Sequence, residues 1–329
     1  MSPVIDVHTH MLNNEWLKLL EKHGRPRYTL KAVTGGLRAI HLDGAPFMTP
    51  VPGMFDWDLR IRNMNRVGID VSVVSLTCPN VYWGSEAVSL KAAQVMNEEM
   101  ARARKTWPDR IQWLCSLPWQ YEKAALAELK RSLKAGASGV MVLANIGGKP
   151  LTDPAFAKIW KAIDDAKLPV LIHPTAPPGV KDMEMQQFQL VASIGFTTDT
   201  TLAVARMIYD GFFDRFEKLK IIASHGGGTL PYLIGRLDQC YEHIPACRTK
   251  ITEKPSLHAR RIYADSVVFT DEALAMAVNV FGSGNVLYGS DYPHTIGDPI
   301  GCLARVDRLP DGVRDRVRGR NAERIFDFR

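Results

Sequence analysis

The sequence predicts an α/β fold, a (β/α)8 barrel, on three observations: eight short β-branched runs, helical spacing between them, and no glycine-rich dinucleotide turn after the first run. Buried apolar strands that alternate with helices form a parallel sheet. Eight such units in 329 residues close into a barrel more readily than they spread into an open doubly wound sheet. One domain over residues 1–329 is the expected organisation.

The strands are expected in order at Val4–Val7, Asp70–Leu76, Ile111–Leu117, Gly139–Leu143, Pro169–Ile172, Lys220–Ala223, Ile262–Asp265 and Asn285–Tyr288. Amphipathic spacing places helices over Glu86–Thr106, Glu122–Ala135, Pro154–Ala166, Thr200–Phe213, Leu230–Tyr241 and Asp271–Phe281. Two excursions interrupt the alternation. His23–Asp56, rich in glycine and proline, is a lid-like insertion after strand one, and Pro174–Thr198 follows strand five. Long loops on one barrel face are pocket walls or lids, or surface insertions without a role.

Composition excludes several function classes. With 46% hydrophobic and 23% charged residues the chain is of ordinary globular type, and its net charge of +6 is dispersed, Arg102, Arg104 and Lys105 being answered by Glu98, Glu99 and Asp109. No basic stripe with interleaved aromatics marks a nucleic-acid partner. Cys78, Cys115, Cys240, Cys247 and Cys302 are odd in number, scattered and free of C-x-x-C spacing, which fits a reducing cytosol rather than a disulfide framework. Neither a signal-peptide pattern nor an apolar run of membrane length is present in the sequence, so a cytoplasmic location and no membrane partner are expected.

His8 and His10 are two apart at the end of strand one, so both imidazoles lie on one face of the strand. His173 ends strand five, His225 follows strand six, and Asp291 follows strand eight in Tyr288-Gly-Ser-Asp-Tyr-Pro293. All five fall where a strand runs out at the barrel's C-terminal end, the face that carries barrel active sites. Neutral imidazoles with one carboxylate suit zinc or another first-row divalent metal. Such an ion polarises a substrate oxygen and acidifies bound water. Histidine ordinarily titrates near neutral pH, which makes His225 the candidate proton carrier, with a fifth ligand as the alternative. Asp291 is open to both ligand and proton-carrier roles. Gly226, Gly227 and Gly228 before a helix either bring backbone N–H groups to an anion or make a tight turn. His23, His41, His243 and His258 are expected to be structural or superficial, and His294 is left unassigned.

Several segments in this order carry a family resemblance: Ile5-Asp-Val-His-Thr-His10, Pro169-Val-Leu-Ile-His-Pro174, Ser224-His-Gly-Gly-Gly228 with Gly235-Arg-Leu-Asp238, Tyr263-Ala-Asp-Ser266, Leu287-Tyr-Gly-Ser-Asp-Tyr-Pro293 and Asn321-Ala-Glu-Arg-Ile-Phe326. Over nearly its whole length the chain resembles the 2-amino-3-carboxymuconate-6-semialdehyde decarboxylase-like branch of the amidohydrolase superfamily. The resemblance implies a distorted (β/α)8 barrel of the metal-dependent hydrolase type. It implies one divalent ion, zinc before manganese, held by His8, His10, His173 and Asp291, with His225 as acid/base. It further implies non-oxidative decarboxylation of an aromatic or muconate-type carboxylic acid, with hydrolysis or hydration of related compounds as the alternative.

Two positions bear on the substrate. Where the branch carries a carboxylate-binding arginine after strand one, this chain has Met48. A second arginine of the branch, contributed by a neighbouring subunit, matches Arg236, which implies a homodimer; an ordinary surface arginine is the alternative. Tyr82 and Trp83 after strand two, with Phe47, Met48 and Met54, are expected either to wall a flat ring or to serve core packing. No motif for pyridoxal phosphate or thiamine offers another electron sink, so that task falls to the metal.

Overall fold

The computed structural model describes residues 2–33, 36–326 and 328. Eight parallel strands pair in chain order: β1 (Ile5–His10), β2 (Val71–Ser75), β3 (Ile111–Ser116), β4 (Gly139–Leu143), β5 (Pro169–His173), β6 (Lys220–Ala223), β7 (Tyr263–Asp265) and β8 (Val286–Leu287). The ring is closed by backbone bonds between the first strand and the segment after the last. Val7 N–H donates to the Tyr288 carbonyl at 3.0 Å, His10 N–H to Tyr292 at 2.7 Å, and Asp291 N–H to His8 at 2.8 Å. The barrel expected from the sequence is present, and β1 runs on through His10, so both histidines lie inside the strand.

Strand periodicity sorts the apolar side chains into two layers. Ile5, Val73, Leu114, Met141, Leu171, Ile222 and Leu287 fill the barrel, closed off by Ile325 and Phe326. The alternate residues, among them Val74, Trp113, Val140, Ile172 and Ile221, pack outward with the helix residues Met96, Leu129, Ile159 and Val204.

Strict alternation from Ile5 would turn His8 and His10 outward. Pairing of β1 with β2 instead skips, from Asp6 opposite Ser72 to Thr9 opposite Val74. Val7 and His8 together therefore oppose Val73, a β-bulge that exchanges the inward and outward sets beyond it. The exchange turns His8 and His10 into the barrel.

The first excursion is more ordered than its composition suggests. Tyr28–Ala32, Arg38–Leu42 and Ala45–Met48 form a three-stranded antiparallel sheet. Thr34 and Gly35 of that excursion lie outside the described residues. In the second excursion, short helical turns over Gln187–Gln189 and Val191–Gly195 lead into a helix over Phe196–Tyr209. Among the described residues no helix is long and apolar enough to cross a membrane, and all five cysteines are free.

Helix Trp57–Val67 brings Arg60 beneath the barrel seam, where it is 1% exposed. Its guanidinium donates to Thr9 Oγ1 at 2.6 Å and to the His10 carbonyl, and lies 4.8 Å from the Tyr292 ring. Thr9 Oγ1 in turn donates to the Tyr292 carbonyl at 2.9 Å. Across the same seam Ser290 Oγ donates to Asp6 Oδ2 at 2.6 Å. Burial pushes the Asp6 carboxyl up to about 6, against the pull of Ser290 and the His8 backbone, and lowers Arg60 to about 10. Arg60 thus ties the end of β1 to the residue beside Asp291. Replacing it in Arg60→Met strands buried acceptors, and we expect urea unfolding to show a loss of about 2–4 kcal/mol; unchanged stability would contradict this role for Arg60.

Candidate metal centre

The strand ends bring His8, His10, His173 and Asp291 together, with one donor atom from each lying within 4.8 Å of all the others. The ring of His8 is 4.9 Å from that of His10 and 5.1 Å from that of His173, centroid to centroid. Asp291 Oδ1 is 3.4 Å from His8 Nε2 and 3.2 Å from His10 Nε2. Donors at 2.0–2.1 Å from an ion in tetrahedral array lie about 3.3–3.4 Å apart, so the spacing suits a first-row divalent cation.

Each histidine is fixed in the tautomer that ligation requires. His8 Nδ1 donates to Asp265 Oδ2 at 2.6 Å, and His173 Nδ1 donates to the Pro174 carbonyl at 2.8 Å. His10 Nδ1 donates to Ser75 Oγ at 3.1 Å, whose own hydroxyl points to the Thr9 carbonyl at 3.5 Å. Three Nε2 atoms are therefore turned to one point, ready to offer lone pairs once the proton on His8 is released. His8 Nε2, His10 Nε2 and Asp291 Oδ1 are buried without a hydrogen-bond partner. Orphaned buried acceptors of this kind are costly unless a cation satisfies them. The residues present fit a divalent metal ion.

Protonation shows the same frustration. Burial disfavours charge on His8, yet Asp265 and Asp291 on either side hold its imidazolium up to about 10. Burial, then the neighbouring charged imidazole, leaves His10 at about 3 and His173 well below its usual range. Burial alone would raise Asp291, but the surrounding histidines hold its carboxyl well below the carboxylate norm. A cation at the three nitrogens takes the place of the His8 proton.

Asp265, at the end of β7, was not singled out as a site residue in the sequence. It is fully buried, and besides His8 it accepts from the backbone N–H of His225, Gly226 and Val267, each at 3.0 Å. The strand-end rule that found the histidines, applied to carboxylates, would have found it too. Its contacts hold the turn after β6. From His225 to Gly228 the backbone has four successive positive φ angles, 54, 64, 80 and 66°. A Cβ at Gly227 would lie 2.5 Å from the Phe281 ring, so glycine is required there on both counts. The left-handed turn swings His225 over the barrel mouth, with Nε2 3.7 Å from Asp291 Oδ2. Asp291 is itself left-handed, at φ 57°. Strain at two non-glycine residues of one site is the pattern of functional positions.

Above the donors is a cavity of about 360 Å³, lined by His173, His225 and Asp291 with Phe47, Met48, Phe196 and Ile296, and with the polar Thr49, Gln189, His294 and Thr295. Cys78 also reaches it, its thiol pushed up to about 12 by burial. Among the described residues no lysine or arginine lines it. Met48 lies in the wall and also packs against the core. Trp83 does not line the cavity: its Nε1 donates to the Asn80 carbonyl at 2.8 Å and its ring packs against Trp16. The local hydrogen bond and the helix Asn14–His23 draw it away from the cavity. Arg236 is exposed on helix Leu230–His243 and does not reach the cavity of its own subunit. Of the other histidines, His258 is buried in a short helix and His243 is exposed, both remote from the cavity lining.

The profile of the amidohydrolase family matches residues 5–328, and the chain belongs to that family. A 2-amino-3-carboxymuconate-6-semialdehyde decarboxylase from Dictyostelium discoideum is 32% identical over 325 residues, covering 97% of this chain and 90% of the relative. In three dimensions the chain is similar to a 5-carboxyvanillate decarboxylase from Sphingomonas paucimobilis, with a TM-score of 0.87, 24% identity and 99% of each chain covered. It is also similar to a dihydroxybenzoic acid decarboxylase from a Polaromonas species with bound manganese and the inhibitor 2-nitroresorcinol, at a TM-score of 0.81 and 21% identity over 99% of this chain and 97% of the other.

Two outcomes follow for metal binding. Asp265→Asn should weaken metal affinity by about 10–100-fold in competition titrations, because the His8 tautomer and the β6 turn lose their common anchor; retained affinity would refute that anchor. His8 carries its proton up to about 10, so ion binding should release one proton, and affinity should rise about tenfold per pH unit between pH 6 and 8. Calorimetry in buffers of different ionisation enthalpy measures that proton, and a pH-independent affinity would count against the site.

Proposed function

We propose that this amidohydrolase-family chain is a metal-dependent, non-oxidative carboxy-lyase acting on an aromatic or muconate-type carboxylic acid. One observation carries the reading: three oriented imidazoles and a carboxylate converge on one point, and two of these donors, His173 and Asp291, line a largely apolar cavity whose size suits one small ring. Similarity to decarboxylases over nearly the whole chain supports it.

His8, His10, His173 and Asp291 would hold the ion, zinc by the donor set, with manganese as in the Polaromonas structure the alternative. When bound, the cation supplies a Lewis acid that draws electron density from a substrate oxygen. The chain's own part is proton delivery and exclusion of water. His225 and Asp291, 3.7 Å apart, share a proton path that opens on the cavity. A proton placed on the carbon bearing the carboxylate makes that carbon tetrahedral. The bond to the carboxylate then breaks, its electron pair returns to the ring, and carbon dioxide leaves. Nothing is oxidised or reduced. Phe47, Met48, Phe196 and Ile296 hold the ring and keep bulk water away, with the antiparallel sheet of residues 28–48 serving as a lid.

Met48, in place of a cation on the wall, favours a substrate with one carboxylate, bound at the metal. Arg236 acts in this reading from a second copy of the chain. Tyr232 is 78% exposed one helical turn before it, so the helix Leu230–His243 presents an aromatic and a guanidinium on one outer face, as a homodimer contact would. With five free cysteines the enzyme suits a reducing cytoplasm.

Incubating zinc- or manganese-loaded protein with hydroxybenzoates, aminobenzoates and lactones should release carbon dioxide from one class of acid. Acid production without carbon dioxide would overturn the lyase reading in favour of a hydrolase. In His225→Asn, kcat should fall about 10²–10⁴-fold with metal content unchanged.

A further inference from the structure

His294 takes no part in the chemistry above, yet it lines the cavity, its ring centroid 5.1 Å from that of His10. Its Nε2 is 2.8 Å from Thr77 Oγ1, and the Thr77 hydroxyl is directed at Cys78 Sγ, 3.8 Å away. One hydroxyl hydrogen serves one acceptor. With it on the sulfur, Nε2 carries the imidazole hydrogen and donates to Thr77, which leaves the lone pair on Nδ1; with it on Nε2, Nδ1 carries the hydrogen instead. That Nδ1 forms no hydrogen bond among the described residues, and unlike His225 Nδ1 it is not sealed from solvent.

The polar groups around it differ in kind. Thr49, Gln189 and Thr295 each donate or accept, and Asp291 faces the histidine nitrogens. His294 Nδ1 is the unpartnered ring nitrogen among them, its other nitrogen being held by Thr77. A site built to hydrogen-bond one substrate group rejects the analogue that lacks it more sharply than an apolar wall rejects a changed shape.

We propose that His294, oriented by Thr77, is a specificity-determining residue that accepts a hydrogen bond from a hydroxyl or amino substituent on the ring of the substrate. The assignment rests on the cavity being a ring-binding site, as in the function proposed above. It narrows the substrate to an arene acid that carries a hydrogen-bond donor besides its carboxylate.

Binding separates this assignment from turnover. Isothermal titration of the metal-loaded protein compares 2-nitroresorcinol with 3-methoxy-2-nitrophenol, in which one donor has become an ether. The wild type should favour the resorcinol by about fivefold to tenfold, the worth of one hydrogen bond. His294→Phe should abolish the preference, and His294→Asn, whose amide oxygen restores an acceptor, should recover part of it. Metal content and thermal midpoint are read for each variant. If His294→Phe loses its metal, Thr77→Val, which keeps the imidazole but frees its tautomer, should weaken the preference. A preference unchanged in the folded, metal-loaded variants overturns the role of His294. Failure of the wild type to bind either compound overturns the ring-site reading instead, and the two failures are thus distinct.

Discussion

The buried carboxylate of Asp265 is the constraint on which the rest of the site depends. It accepts four hydrogen bonds, from the ring of His8 and the backbone of His225, Gly226 and Val267, and so joins β1, β6 and β7 at one point. Burial works to raise its pKa, but the His8 charge and these donors hold it lowered and ionised. An ionised group in such surroundings is tolerated because every partner is a donor. In satisfying itself it sets the His8 tautomer and holds the left-handed turn that carries His225. The orientation of His8 and the position of His225 therefore share one cause.

Arg60 acts from the opposite side of the seam. It does not reach the cavity, but its bonds to Thr9 and His10 and its contact with Tyr292 hold the first and last strands of the barrel together where Asp291 leaves the sheet. Closing a barrel brings residues distant in sequence into contact, and both ends of this closure carry metal donors. A small displacement of the seam would move Asp291 relative to His8 and His10 together.

Much of this was legible in the sequence, because the signals are local and periodic. Strand runs, their alternation with helices, and histidines at strand ends are read from the local pattern, and the structure brings those residues together, with the bulge in β1 turning His8 and His10 inward. What was not legible depends on contacts between distant segments. Trp83, from its place after strand two, was open to a ring-pocket or a packing role, and its contacts with Trp16 and Asn80 place it in the packing. The excursion His23–Asp56 read as a glycine- and proline-rich loop, though Tyr28–Ala32, Arg38–Leu42 and Ala45–Met48 within it pair in an antiparallel sheet. His294 could be judged only once Thr77, far away in the chain, was seen to hold its Nε2.

The bulge in β1 gives the chemistry a dependence on register as well as on residue identity. His8 and His10 face inward because the chain carries one residue more than its partner strand between Asp6 and Thr9. Regular pairing of the same residues, without the bulge, would leave every ligand type intact and turn the imidazoles toward the helices. Among descendants of this chain, loss of Val7 would pair regularly with both histidines still inward, whereas an added residue there should persist only with a second irregularity that restores the facing. A site of this kind is inherited as a register before it is inherited as a motif.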